Sequence, residues 1–435
     1  MTGAPIRVAF TMISRRNWAG GYNYQRNLFA ALHHYCPNRI TPVVFAGERN
    51  APADLEARGT NPKVEIARSH SSLRQRATAL LMGRVADERT DPADLETLGR
   101  IPGVEIARSD AFDPSVKEMA ASLLLGCDPA EVADFRRKKI DVVFEAARFF
   151  GWRLPYPTVA WIPDLQHRRL PHLFPAMTRW RRELGLRMQI LSGRWIMLSS
   201  ESALRDCLMS YPTAIHRSSV VKFAAQPSAE LLNADPAEIV RFYGLPRTYF
   251  YLPNQFYRHK NHAVVVDALA ILAKQGVNAT VVTSGSNSDP REPAYFNTIM
   301  RQLADRGLQI NFCYVGMIPL PHVYAILRAA TALINPSRFE GWSTTVEEAK
   351  CFGVPMILSD IDVHREQAGS EALYFGVDDP MRLADHLQKL SRVEILPRTL
   401  LPQLDRNLVE FAASFVRTIE RAANTFPSKL TRTET

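Results

Sequence analysis

The sequence predicts an α/β protein in which two Rossmann-like domains face each other across a cleft. The chain of 435 residues is too long for one ordinary domain and long enough for two. It opens with a strand, a glycine-containing loop and a helix, as nucleotide-type α/β domains do. Its second half alternates apolar, β-branched runs with helical segments, which indicates a parallel sheet covered on both faces.

The first domain is predicted over residues 1–228. Residues 6–12 form its first strand, and Gly20 and Gly21 lie in the loop before the first helix. Their place after this strand favours a ligand-binding role over a plain tight turn. Further strands are expected at 140–146, 158–164, 194–200 and 218–223.

An internal repeat lies within this domain. The segment at 52–69, PADLEARGTNPKVEIARS, returns at 92–109 as PADLETLGRIPGVEIARS. A solenoid needs about three or more stacked units. We therefore expect a local duplication that has added a spare helix–strand segment or a long excursion to the domain.

The second domain is predicted over residues 229–405. The polar stretch 226–239, which contains two prolines, is the candidate linker. Near the end of the chain, apolar residues recur at spacings of three and four, which predicts an amphipathic helix over 406–426. We expect this helix to pack back on the first domain and residues 427–435 to form a flexible tail.

The positive charge is concentrated in the first domain. Residues 1–228 carry 32 Lys and Arg against 22 Asp and Glu, whereas the rest carries 21 against 22. Within residues 168–187, six arginines alternate with Leu, Phe and Trp. This pattern suits a helix lying on an anionic membrane or binding a polyanion, or else a solvated basic face. We expect no nucleic-acid partner.

The N-terminal residues, the apolar stretches and the cysteines indicate neither a targeting signal, nor a membrane span, nor a metal site. The N-terminal residues do not form a basic segment followed by an apolar one, and no stretch approaches the about 18 apolar residues of a membrane span. We expect a cytoplasmic protein, with peripheral contact to the inner face of the cell membrane as the alternative to a fully solvated basic helix. The five cysteines are scattered, which favours core thiols over a zinc site or a disulfide framework.

Carboxylates and hydroxyls follow a predicted strand in the second domain. The run TALINPS, residues 331–337, forms the strand, Glu340 lies in the loop, and Thr344 or Thr345 begins a helix that ends before Gly353. The carboxyl ends of parallel strands are where ligands bind in α/β proteins. Free amide groups at the start of such a helix bind phosphate well.

A structural explanation also exists for part of this segment. Thr344 with Glu347, and Thr345 with Glu348, both fit a capping box, in which a hydroxyl and a carboxylate satisfy free backbone amides. This accounts for one of the two helical glutamates. It does not account for Glu340, which precedes the helix.

Several motifs together resemble a known family. Glu340 and Glu348, with seven residues between them, resemble the E-x7-E signature of retaining glycosyltransferases of family 4, which have the GT-B fold. Other motifs that resemble the family's follow in its order: NWAGGYNYQRNL (17–28), VAWIPDLQHRRLPHLFP (159–175) with the later strand RWIMLSS (194–200), PNQFYRHKNHAVVVDAL (253–269) and YVGMIP (314–319).

The resemblance implies roles for individual residues. Glu340 would contact the sugar and Glu348 the ribose, while Lys260 would bind the donor diphosphate. The other implied donor-site residues are Arg258, Gly316, Ser343, Thr344, Thr345, Gly20 and Gly21. Asp164 and His167 would lie beside the acceptor. For these two the alternatives are a loop cap and a polar surface residue, and for Lys260 a surface lysine at a helix start, where the helix dipole disfavours a cation.

The sequence departs from the family at two places. Asn254 and Gln255 occupy the positions where the family often has an arginine, so Arg258 is the candidate second phosphate cation. Pro163 occupies the position of the family's usual histidine. Asp360 and Asp362 have the D-x-D form that binds metal in other glycosyltransferases, but we expect no metal and no cofactor here.

The implied function is metal-independent, retaining transfer of a hexose, with mannose as the candidate, from a nucleotide sugar to a glycan or lipid-linked acceptor. Bacterial cell-surface polysaccharide biosynthesis, including lipopolysaccharide, is the expected setting. The alternatives are a catalytically degenerate scaffold that binds a nucleotide or an anionic glycan, and a sugar-nucleotide epimerase of the same fold.

Overall fold

The structure is a computed structural model that describes residues 4–15, 18–48, 91–113, 126–146, 148–225, 227–289, 291–392, 398–401 and 404–426. These residues form two α/β domains, each built on a parallel sheet. The first copy of the repeat, at 52–69, and the predicted tail, at 427–435, lie outside the described residues.

The first sheet has the strand order β3–β2–β1–β4–β5–β6–β7. Its strands are β1 Ile6–Thr11, β2 Ile40–Ala46, β3 Glu105–Arg108, β4 Val142–Glu145, β5 Thr158–Ile162, β6 Trp195–Leu198 and β7 Ser218–Val220. The helices of this domain are α1 Ala19–Tyr35, α2 Pro92–Gly99, α3 Pro129–Arg137, α4 Gln166–Arg169, α5 Ala176–Leu191 and α6 Glu201–Ser210. The order reverses between β1 and β4, where ligands bind in doubly wound sheets.

The second sheet has the strand order β10–β9–β8–β11–β12–β13. Its strands are β8 Phe250–Leu252, β9 Val281–Thr283, β10 Phe312–Tyr314, β11 Ala332–Asn335, β12 Met356–Ser359 and β13 Ala372–Phe375. The helices are α7 Ala229–Leu232, α8 Pro236–Phe242, α9 His262–Lys274, α10 Tyr295–Asp305, α11 Leu320–Ala329, α12 Thr344–Cys351, α13 Asp362–Ala368 and α14 Pro380–Leu390. These bounds confirm the predicted alternation of strand and helix.

Three of the described helices begin with the same sequence motif, Asp-Pro-Ala. Asp91, Asp128 and Asp235 each accept a hydrogen bond from the alanine amide two residues later. The proline at the first helical position has no amide hydrogen to satisfy and already has a helical φ. The third of these helices, α8, begins within the predicted linker, 226–239, which also contains α7.

The second copy of the repeat contributes to the sheet. Residues 92–99 form α2 and residues 105–108 form β3, which pairs in parallel with β2 at the edge. Arg7 of β1 donates to the carboxylate of Glu105 in β3 at 2.7 Å. The second copy is therefore an integral helix–strand unit of the first domain.

The C-terminal helix, α15 Leu404–Thr425, packs on the first domain, as expected. The ring of Phe415 lies 6.1 Å from that of Phe10 and 5.5 Å from that of Phe144. Phe411 contacts Tyr24 and Phe223 at centroid distances of 5.6 and 5.7 Å. Complete burial of each phenylalanine contributes about 1.5–3 kcal/mol. The last helix therefore joins the end of the chain to the first domain.

Gly20 and Gly21 do not lie in a loop, which corrects the sequence-based expectation. Helix α1 begins at Ala19, so both glycines belong to its first turn. The Trp18 indole folds back over them: a Cβ atom on Gly21 would lie 2.4 Å from the ring. Trp18 in turn lies against Trp161, with ring centroids 5.2 Å apart. The glycines provide room for this indole.

Among the described residues, no helix combines the length and the apolar character needed to cross a membrane.

Candidate active site between the domains

The site lies at the carboxyl ends of adjacent strands in the second sheet. Lys260 ends a short 3-10 helix, Arg258–Lys260, in the connection after β8, and Glu340 lies in the loop after β11. Because β8 and β11 pair in parallel, these two connections leave the same edge of the sheet side by side.

Lys260 and Glu340 form an ion pair. Lys260 Nζ lies 2.6 Å from Glu340 Oε1, and the side chains are 18% and 10% exposed. Ser337 Oγ donates to the same carboxylate oxygen at 2.6 Å. Burial alone would raise the pKa of Glu340, but the charge of Lys260 and the two hydrogen bonds lower it to about 2. Glu340 is therefore an anion at physiological pH.

Asn335, at the end of β11, holds the loop around Glu340. Its Nδ2 donates to Ser343 Oγ at 2.8 Å and to Thr345 Oγ1 at 3.3 Å, and its Oδ1 accepts from the Ser337 amide at 3.3 Å. Asn335 thus ties both ends of the loop to the strand from which the loop departs.

The predicted capping boxes are wrong. The N-cap residue of α12 is Ser343, and its hydroxyl contacts Asn335 and Thr345 instead of capping the helix. Glu347 accepts from Lys350 and Gln367, further along the chain. In the described part of the chain, no side chain caps the first-turn amides of α12, so they remain available to an anion.

Glu348 lies on α12, within electrostatic range of Arg26 in the first domain. Burial raises the pKa of its carboxyl to about 7, against the opposing effects of the Tyr324 hydroxyl and of Arg26 on α1. Tyr324 Oη lies 3.4 Å from Glu348 Oε1. Glu348 therefore gains or loses its proton near neutral pH, unlike Glu340.

Two other predicted donor-site residues, Gly316 and Arg258, have partners of their own. Gly316, in the connection after β10, has φ of 81° and accepts a hydrogen bond from the Gly285 amide at 3.0 Å. Arg258 pairs with Glu292 at 3.2 Å, and its side chain is 58% exposed.

Asp164, from the first domain, reaches the loop that carries Glu340. It follows β5, and its Oδ1 accepts from the Gln166 amide at 3.0 Å. A Cβ atom on Gly341 would lie 2.2 Å from the Pro163 carbonyl oxygen and 2.9 Å from Asp164 Cβ. Only a glycine permits this approach, which places Asp164 against the residue next to Glu340.

His167 is buried, so its interpretation as a polar surface residue is wrong. Its Nε2 lies 3.4 Å from Glu183 Oε2, and Glu183 also accepts from Arg168 and Tyr211. Burial lowers the pKa of His167, although Glu183 opposes this effect.

Arg291, which the sequence analysis missed, lies at the boundary between the domains. It donates to Asp289 at 3.0 Å and to Gln166, in the first domain, at 3.3 Å. Its guanidinium lies 5.4 Å from the ring of Phe174 and 5.1 Å from that of Tyr257. Its position in the polar loop after β9 is the signal that could have identified it, because loops after parallel strands line the cleft.

The Asp360 and Asp362 carboxylates each pair with an arginine. Asp360 binds Arg365 at 2.7 Å, and Asp362 binds Arg205 at 3.0 Å. Across the ranges that the structure describes, no group of three or more His, Cys, Asp or Glu side chains is arranged to hold a metal ion.

Residues 243–403 match the family model "Glycosyl transferases group 1". The match contains Lys260, Gly316, Glu340 and Glu348. Two curated proteins are similar over shorter segments. Mannosylfructose-phosphate synthase of Agrobacterium fabrum is 24% identical over 103 residues, 23% of this chain and 23% of that protein. O-antigen chain mannosyltransferase B of Escherichia coli is 30% identical over 93 residues, 20% of this chain and 24% of that protein.

Solved structures resemble the whole chain. A glycosyltransferase from Rickettsia africae superposes with a TM-score of 0.60 at 11% identity, covering 99% of both chains. Anabaena Alr3699/HepE, solved in complex with UDP and glucose, gives 0.57 at 14% identity, covering 98% of this chain and 99% of that one. The protein therefore has the GT-B fold of these glycosyltransferases, as the sequence predicted.

Proposed function

We propose that the protein is a retaining glycosyltransferase. The second domain binds a nucleotide sugar, the first domain holds a glycan or lipid-linked acceptor, and the sugar passes between them in the cleft. The observation that carries this proposal is the Lys260–Glu340 pair, which lies beside a helix start that no described side chain caps.

Cleavage of the donor leaves a nucleoside diphosphate, whose growing negative charge must be stabilised. Lys260 and the first-turn amides of α12 supply positive charge and hydrogen-bond donors for it without a metal ion. An ammonium group has three donors, so Lys260 can hold a phosphate oxygen while it remains bound to Glu340.

Glu340 is assigned to the sugar. Its low pKa keeps it ionised, and an ionised carboxylate accepts hydrogen bonds from sugar hydroxyls about twice as strongly as a neutral group does. Glu348, on helix α12, which follows the loop that carries Glu340, is assigned to the ribose hydroxyls. Asp164 reaches Gly341 from the first domain and is assigned to the acceptor, with His167 in the adjacent helix α4.

Mannose is the proposed sugar, and bacterial cell-surface polysaccharide synthesis, including lipopolysaccharide, is the proposed setting. The support is that both curated relatives carry a mannosyl name and one is an O-antigen chain enzyme. Retention of the anomeric configuration and the absence of a metal requirement rest on the family resemblance of the E-x7-E spacing.

The first domain is proposed to lie on an anionic membrane through helix α5. Met177, Trp180, Leu184 and Leu191 are 57%, 61%, 42% and 69% exposed, and their spacings of three, four and seven residues place them on one face of this helix. Exposed arginines, Arg179, Arg182 and Arg187, lie on the same helix. Anionic headgroups complement these charges, and the apolar stripe enters the interface.

The test is a donor screen followed by a turnover assay. UDP-, GDP-, ADP- and dTDP-sugars are added to the purified protein, and the thermal shift identifies the nucleotide, since a ligand that binds the native state raises its stability. Nucleotide release and the anomer of the product, observed early by NMR, then report turnover and retention. Failure of all four donor classes to bind, or an inverted product, would refute the proposal; binding without turnover would favour the scaffold alternative.

A further inference from the structure

We propose that Glu366 is a positioning residue that couples the contact between the domains to the geometry of the donor site. The inference rests on the proposed function and concerns how the cleft is assembled. Glu366 lies on α13, a short helix of the second domain between the site and helix α6 of the first domain.

On the side of the first domain, Glu366 caps α6. Its two carboxylate oxygens accept from the backbone amides of Glu201 and Ser202 at 3.0 and 3.2 Å. Lys222, which follows β7, lies 2.9 Å from the same carboxylate. The Glu366 side chain is 13% exposed, whereas Lys222 is 45% exposed. A carboxylate at a helix N-terminus is stabilised by free amides and by the helix dipole, and here it belongs to the other domain.

On the side of the second domain, the next residue holds the start of α12. Gln367 Oε1 accepts from the Ser343 amide, and its Nε2 donates to the Ser343 carbonyl, both at 3.0 Å. Nε2 also donates to Glu347 Oε1 at 3.0 Å. Ser343 is the N-cap residue of the helix whose first-turn amides are assigned to the donor phosphates.

Consecutive residues of one helical turn therefore contact the first domain and the donor helix. A second contact supports the same arrangement: Trp342, next to Ser343, donates from Nε1 to the Phe223 carbonyl at 2.8 Å. The inferred coupling is that the bonds of Glu366 to α6 fix the orientation of α13 within its own domain. Through Gln367 they then fix the N-terminus of α12, so the phosphate site is fully ordered only while Glu366 holds α6.

The test compares Glu366→Gln with Asp362→Asn. Both remove one negative charge from α13 at its contact with α6. Asp362 is 65% exposed, however, and its pair with Arg205 of α6, itself 58% exposed, should contribute little. In Glu366→Gln the new side chain keeps one acceptor oxygen but lacks the negative charge and the second acceptor oxygen. We expect nucleotide affinity to fall severalfold, because the phosphate site is less well ordered, and kcat to fall by roughly tenfold, because small misplacement of reacting groups is costly. Asp362→Asn should leave both within twofold.

Hydrogen exchange provides a readout that does not depend on transfer. Glu366→Gln should speed exchange of the Glu201 and Ser202 amides and also of the Ser343 amide, which Glu366 does not touch. Lys222→Met, which weakens the contact without altering α13, should shift the same amides in the same direction by a smaller factor.

The results separate the two proposals. If wild-type protein transfers no sugar, the proposed function fails while the exchange experiment still decides the coupling. Faster exchange at Glu201 and Ser202 alone, with Ser343 unchanged in both variants, would reduce Glu366 to a helix cap and overturn the inference. A normal kcat in Glu366→Gln, in an active enzyme, would overturn it too.

Discussion

Lys260 Nζ and Glu340 Oε1 lie 2.6 Å apart although eighty residues separate them in the chain. The pair forms because β8 and β11 are neighbours in the sheet and the connections that follow them share an edge. It unites the residue assigned to the diphosphate with the residue assigned to the sugar.

Glu340→Gln should abolish transfer and leave nucleotide affinity nearly unchanged. The amide keeps the size of the side chain but loses the charge that binds sugar hydroxyls most strongly. Turnover is measured as nucleotide release and affinity by calorimetry with the free nucleotide. Wild-type turnover in this variant would remove Glu340 from the reaction.

Lys260→Met should weaken binding of the nucleotide diphosphate and destabilise the fold by about 3 kcal/mol, because it leaves the largely buried Glu340 charge unpaired. The lowered pKa of Glu340 contributes stability that is present above its unfolded value of 4.5 and is lost as pH falls through about 2. The difference between wild type and variant in the free energy of unfolding should therefore be larger at pH 7 than at pH 3. Denaturant titrations at the two pH values measure it.

Arg306→Met is the matched control for Lys260→Met. Arg306 pairs with Asp267 at 2.5 Å, but both side chains are well exposed, at 39% and 45%. Removal of such a pair should cost less than about 1 kcal/mol. Equal losses of unfolding free energy in the two variants would contradict the burial of the Lys260–Glu340 charges.

Nucleotide-sugar affinity should rise with pH through about 7, since Glu348 becomes ionised there and its carboxylate then accepts ribose hydroxyls more strongly. Burial lowers the pKa of His259, which precedes Lys260, to about 3, so this histidine stays neutral throughout. The same raised pKa of Glu348 means that its protonated form favours the fold, so its contribution to stability falls as pH rises from 4.5 through 7. Calorimetry from pH 6 to pH 8 in wild type and Glu348→Gln measures the effect; a pH dependence that persists in the variant would exclude Glu348 as its source.

Gly341→Ala should destabilise the contact between the domains. The new Cβ would meet the Pro163 carbonyl oxygen at 2.2 Å, and such overpacking costs about 1–3 kcal/mol. The control is Gly185→Ala in α5, where a Cβ meets nothing within 4 Å and helix propensity predicts a gain of about 0.5–1 kcal/mol. The midpoint temperatures of thermal unfolding should shift in opposite directions in the two variants. A stable, fully active Gly341→Ala variant would show that the loops of Gly341 and Pro163 do not need this close approach.

Replacing Arg179, Arg182 and Arg187 with Gln should weaken binding to vesicles that contain phosphatidylglycerol by about 3 kcal/mol, and the effect should shrink at high salt. Trp180→Ala should also weaken binding, whereas Phe242→Ala, an exposed aromatic residue of the second domain, should not. Vesicle sedimentation measures both. Undiminished binding by the arginine variant would exclude α5 as the contact.

Local patterns in the sequence predicted most of the fold. Strand and helix positions follow from the hydrophobic period, which acts within a few residues. The amphipathic residues at 408, 411, 415 and 419 predicted the last helix, and its packing on the first domain was also expected. The resemblance to the glycosyltransferase family selected Lys260 and Glu340, which the structure brings together.

By itself the sequence determined the two-domain fold class, the order of the elements and the loop that carries Glu340, because backbone conformation responds to near neighbours. The tertiary structure alone decided which partner each polar side chain takes: Ser343 binds Asn335 rather than capping α12, His167 is buried against Glu183, and Glu366 caps a helix of the other domain. A polar side chain binds whatever group long-range packing brings within about 3 Å. The spacing of two residues along the chain does not determine that distance in space.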